Sequence, residues 1–189
     1  VYGAEREVYN TEKTKSEPEK AKWYFEAPSS YEGDWMVAYD ALISFDLGSF
    51  AGDYSEPDLF NDENDIIVLE CDMCPPDIGK RMVLRTYPGD DRYGILKALN
   101  SESGEVHFET RLNEELGWII DPMNPAIPTR EPKKCEFVRF LAGITNFRIL
   151  GDYLKKHETI GLDNVKIQIA KTGERSGPPS ECYCVQPGV

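Results

Sequence analysis

The sequence predicts an antiparallel β-sandwich, and three observations carry that prediction. Short segments rich in Val, Ile, Phe and Tyr recur along the chain, the composition that suits a pleated, half-buried surface. Clusters of Gly, Pro, Asp and Asn, such as "YPGDDRYG" and "NSESG", separate them, as turns between strands require. Only one stretch has convincing helical spacing. A run of strands without interleaved helices favours a sandwich over a parallel sheet.

The elements follow in order. Residues 1 to about 20, "VYGAEREVYNTEKTKSEPEK", carry many charges and few apolar positions, which predicts a flexible lead-in. The strand candidates are "KWYFEA", "ALISFDLGSF", "DIIVLEC", "KRMVLRTY", "EVHFETRL", "FRILGDY" and "NVKIQIA". Trp23 and Trp118 are core candidates. "NPAIPTREP" carries three prolines and is excluded from a central strand. In "KKCEFVRFLAG", Phe137, Phe140 and Leu141 share a helical face and Gly143 offers a stop, so one short helix is expected near 135 to 142, plugging an open end of the sandwich.

The last strand raises a question. Alternation places Asp163 in phase with Val165, Ile167 and Ile169, and these apolar residues must face the core. A carboxylate aimed at a core is costly unless a cation, an Arg or backbone N–H groups pair with it. Asp163 is therefore expected either to hold an ion or to accept hydrogen bonds at a turn or from the N-terminal strand.

The chain is 189 residues long with 34 acidic and 21 basic residues, a net charge of −13. That length suits one domain with a sizeable core. The charge repels phosphate backbones and anionic lipid surfaces, which excludes nucleic acid as a partner. No run of 18 apolar residues occurs, so direct membrane insertion by a helix is not expected. No leader is visible, as in a mature chain or an excised fragment. The acidic run "DLFNDEND", Asp58 to Asp65, has hard-cation oxygens but lacks the Gly and terminal Glu of an EF-hand loop. It reads as a solvated loop.

Of five cysteines, Cys71 and Cys74 form C-x-x-C, Cys135 opens the expected helix, and Cys182 and Cys184 form C-x-C. The odd number leaves one thiol unpaired within the chain or paired outside it. Prolines 75 and 76 follow the first pair directly, which speaks against a zinc site, and no βαβ pattern surrounds it to suggest a redox motif. His107 alternates with Glu105 and Glu109 as an exposed strand residue, and His157 falls in a loop. No nucleophile signature accompanies the two histidines, so no catalytic residue is nominated. Tyr31, Trp35 and Tyr39 flank Gly33-Asp34, where loop aromatics either stack on sugar rings as a ligand-binding surface or pack over the sandwich edge.

The run "WYFEAPSSYEGDWMVAYDALISFDL" resembles the opening of laminin domain IV, the laminin B domain. The matching positions are Trp23, Ala27, Pro28, Tyr31, Gly33, Asp34, Tyr39, Leu42 and Phe45. "DIIVLE" and "FLAGITNFRILGDY" are similar to that family's next strand and to its helix followed by an aliphatic strand. "GLDNVKIQIAKTGERSGPPSECYC" is similar to its Ile-Asp-Asn-Val strand and the linker into a Cys-x-Cys.

The resemblance implies a jelly-roll sandwich related to carbohydrate-binding modules, over residues 21–172, with 173–189 a linker and the possible start of an EGF-like module. It implies a secreted, non-catalytic module acting as spacer or interaction domain among extracellular matrix proteins, with a carbohydrate-binding module and glycan partners as the alternative. Cys182 and Cys184 would then find partners beyond Val189. Oxidation outside the cell predicts at least one disulfide, Cys135 with Cys71 or Cys74. Jelly rolls of this kind often carry a structural calcium on an Asp opening the last strand, which would be Asp163, with Asp46 as second carboxylate.

Overall fold

The structure, a computed structural model, describes residues 4–7, 22–51, 63–87, 90–99, 101, 103–153, 159–169 and 179–182. Two antiparallel sheets form from β1 (Ala4–Glu7), β2 (Lys22–Glu26), β3 (Leu42–Ala51), β4 (Asn64–Glu70), β5 (Arg81–Thr86), β6 (Glu105–Arg111), β7 (Trp118–Ile120), β8 (Asn146–Leu150) and β9 (Thr159–Gln168). One sheet has the order β1-β2-β8-β4-β5-β7, the other β6-β3-β9. Every pairing is antiparallel.

A single apolar cluster draws on both sheets, which makes the arrangement the expected sandwich. On β3, Ile43, Phe45 and Leu47 alternate inward, each 1% exposed or less. Phe45 stacks on Phe108 of the neighbouring strand with ring centroids 4.6 Å apart. Ile66 through Leu69 are all buried, so β4 is covered on both faces, as a continuous apolar run in a central strand implies. Truncating one of these large side chains to alanine costs about 2–5 kcal/mol in transfer and cavity terms.

Two α-helices are present among the described residues. The shorter, α1 (Ile95–Leu99), escaped the sequence reading because five residues hold too little periodicity. The longer, α2 (Lys134–Leu141), matches the expected helix and buries Phe137, Val138, Phe140 and Leu141. Phe137 meets Trp118 edge-on at 5.8 Å, so the helix closes over the core. The Glu136 carboxylate accepts from the Lys133 N–H at 2.8 Å and from Arg130 at 2.7 Å, satisfying a free donor at the helix start.

Two expectations need correcting here, and one strand was not expected. Ala4–Glu7, inside the lead-in expected to be flexible, is an edge strand paired with β2; residues 8–21 lie outside the described residues. Gly143 does not end the helix through a left-handed conformation, since its φ is not positive. A Cβ there would lie 3.3 Å from Cys71 Sγ, a tight contact. The three-residue strand β7 is too short to stand out in sequence, yet it pairs Ile119 with Val83.

Candidate functional site

The final strand answers the Asp163 question with a β-bulge. Along β9, Ile167 opposes Ile43 and Lys166 opposes Ser44, but Asp163 opposes Asp46. Asn164 and Val165 together therefore face the single residue Phe45, and Asn164 takes φ 53°. An extra residue in a period-two strand flips the phase of everything beyond it. Ile160 and Leu162 point inward on one side of the bulge and Val165 and Ile167 on the other. Asp163 is left exposed on the outer face, and Ile169 is 50% exposed. Both had been expected inward. Asp163 Oδ1 accepts from the Asn164 backbone N–H at 2.7 Å, so the carboxylate stabilises the bulge rather than facing the core.

Across the bulge the side chains converge on Asp46. The Asn164 amide donates to Asp46 Oδ2 at 2.7 Å, and His107 Nδ1 lies 2.5 Å from Oδ1. A carboxylate only accepts, so His107 Nδ1 carries the proton. These hydrogen bonds, His107 foremost and then Asn164, hold the Asp46 carboxyl below the usual range. His107 is a strand residue with its side chain 60% exposed.

The register does bring together Asp46 and Asp163, the pair expected for calcium. The donor set, however, does not fit the ion. Both Asp46 oxygens face N–H donors, Asp163 accepts from the Asn164 backbone N–H, and calcium needs about six to eight oxygen ligands. Among the described residues no group of three or more His, Cys, Asp or Glu could hold a metal. In the acidic stretch, residues 58–62 lie outside the described residues, but Asp65 is buried and paired. It accepts from Arg81 at 3.0 Å and Arg85 at 2.5 Å, and Arg85 also reaches Asp121 at 2.7 Å. Asp65 is thus an ion-pair partner rather than a loop residue.

The three loop aromatics are packing groups. Trp35 is 8% exposed, meets Phe147 edge-on at 5.5 Å, and donates its indole N–H to the Tyr31 carbonyl at 2.7 Å. Tyr31 leans on the same Phe147. Tyr39 meets Phe137 edge-on and donates to Glu114 at 2.8 Å; burial, then that hydrogen bond, pushes its phenol pKa upward. The backbone of Trp35 also donates to the Leu141 carbonyl. The segment therefore straps the end of α2, and Trp35 has no free face for a sugar.

Among the described aromatics the most exposed is Phe50, at 77%. Its ring lies over Gly48 and Gly161, which are register partners on β3 and β9. A Cβ on Gly161 would come within 2.7 Å of that ring. Sequence reasoning missed Phe50 because "GSF" looks like any strand end. Only the pairing of two distant glycines turns it into a platform.

Disulfides join Cys71 to Cys74 and Cys135 to Cys182. Neither expected pairing, Cys135 with Cys71 nor Cys135 with Cys74, forms. The turn after β4 places Cys74 back on its neighbour, with its N–H on the Cys71 carbonyl, while the short turn Ser180–Cys182 returns to α2. Cys182 therefore has its partner within the chain; Cys184, like His157, lies outside the described residues. An ion pair of 3.4 Å between Lys134 and Glu181 flanks the second bridge.

The family model "Laminin B (Domain IV)" matches residues 24–182. Among solved structures, the L4b domain of human laminin alpha-2 is similar, with a TM-score of 0.55 and 14% identity over 79% of this chain and 71% of that one. At that identity the likeness concerns the fold. Comparison with curated proteins gives no match.

Proposed function

The chain belongs to the laminin B (domain IV) family, and from that premise we propose that it is a non-catalytic module of a secreted chain. It acts as a spacer that holds its neighbours at a set distance and offers its surface to matrix proteins. The family is structural and extracellular, and oxidised cysteines suit that setting.

The observation that carries the spacer reading is the Cys135–Cys182 bridge. The chain beyond Cys182 leaves from a point covalently tied to α2, which is itself packed on the core through Phe137. Tension on the following segment reaches the sandwich through a disulfide instead of peeling off residues 136 to 181 first. Pulling the chain between terminal handles tests this. The expected trace is one cooperative unfolding event, and reduction should add about 170 Å of contour length, the 47-residue separation at about 3.6 Å per residue. Gradual lengthening at low force under oxidising conditions would defeat the spacer reading.

A further inference from the structure

We propose that the outer face of the three-stranded sheet binds a neutral pyranose, stacked on Phe50 and hydrogen-bonded by Asp46 and Asn164. The proposal stands apart from the spacer role, since a module can hold its neighbours apart with or without a glycan.

Asp46, Gly48 and Phe50 alternate along one face of β3, and Gly161 and Asp163 face them from β9. The glycines supply no side chains, so the Phe50 ring leans back over backbone, 3.8 Å from where a Gly48 Cβ would sit. One ring face is thus supported and the other is open, the arrangement in which C–H groups of a sugar stack on an aromatic. Asp46 lies one two-residue step from Gly48, about 7 Å along the strand. That is the span of a single sugar ring.

The polar groups at that distance are already oriented. Asn164 and His107 hold Asp46 from either side, and each carboxylate oxygen keeps a lone pair for a hydroxyl. The Asn164 amide has a second N–H beside that acceptor. Vicinal hydroxyls both donate and accept, so they match an acceptor and a donor set side by side. An arginine guanidinium only donates, so it could use the Asp46 lone pairs but would leave the second Asn164 N–H without an acceptor. Asp46, Asp163 and Glu109 outnumber Lys166 on this face, in a chain of net charge −13. Sulfated or sialylated glycans would be repelled, which restricts the ligand to neutral sugars.

The test is ligand-observed NMR of the 189-residue chain with glucose-, galactose- and mannose-terminated oligosaccharides at millimolar concentration, beside a heparin oligosaccharide and an arginine-rich peptide. Saturation transfer to at least one neutral sugar is expected. Phe50→Ala should weaken it about tenfold or more and Phe50→Tyr should retain it. Because Phe50→Ala also uncovers two glycines, Asn164→Gly supplies an independent variant. It tolerates the positive φ of the bulge, leaves the glycine floor intact, and should weaken binding with no change in Phe50. Absence of transfer to every neutral sugar would overturn the proposal. So would preference for heparin or the peptide, or neutral-sugar binding that Asn164→Gly leaves unchanged.

Discussion

The two disulfides should differ sharply in what they contribute to stability. Cys135–Cys182 closes a loop with a sequence separation of 47, Cys71–Cys74 one of only 3. In the chain-entropy treatment, the first removes denatured-state freedom equivalent to about 4 kcal/mol at 25 °C and the second about 2 kcal/mol. For a domain of this size, each kcal/mol moves the melting midpoint by about 2–4 °C. A Cys135→Ala/Cys182→Ala variant should therefore melt about 8–16 °C below the parent. Cys71→Ala/Cys74→Ala should lose about half as much from entropy, with a small added packing loss because both sulfurs are buried. The assay is thermal unfolding followed by circular dichroism without reductant, in a Cys184→Ala background so that the fifth thiol cannot substitute. A midpoint for the Cys135/Cys182 variant within about 3 °C of the parent would refute the reasoning, because that shift corresponds to only about 1 kcal/mol.

Gly151→Ala should destabilise by about 3 kcal/mol or more, since its Cβ would fall 2.0 Å from the Trp23 ring and that overlap forces the strand or the indole to move; a midpoint equal to the parent's in urea unfolding would contradict this. Tyr39 should keep its proton well above the usual phenol range. Because its folded pKa is raised, the associated stability is full below about pH 10 and is lost only as pH rises through the folded value. Phenolate absorbance assigned by comparison with Tyr39→Phe should then appear together with alkaline unfolding, and Tyr39 ionising in the folded chain near pH 10 would count against its hydrogen bond to Glu114. The melting midpoint should be the same in calcium and in chelator, because the Asp46 oxygens are held by His107 and Asn164. A rise with calcium that Asp163→Asn abolishes would restore the metal reading.

Much of the fold was legible in sequence because strand alternation, turn residues and helical spacing are local. The segments "ISFDL", "IIVLE" and "FRIL" announced strands through β-branched and aromatic content, and each became one. The helix was legible because Phe137, Phe140 and Leu141 share one face. The tertiary structure decided whatever depends on two distant segments meeting. One inserted residue at Asn164 turned Asp163 outward, and alternation cannot show an insertion because it is defined only against the partner strand. Asp65 looked like the end of a solvated acidic loop until Arg81 and Arg85 arrived from β5. Cysteine spacing carries no connectivity, so the bridge from α2 to Cys182 had to wait for the chain to return there. Phe50 became a platform only when Gly48 met Gly161 across the sheet, since an aromatic needs a floor without side chains to lie flat, and the sequence places the two halves of that floor on strands far apart.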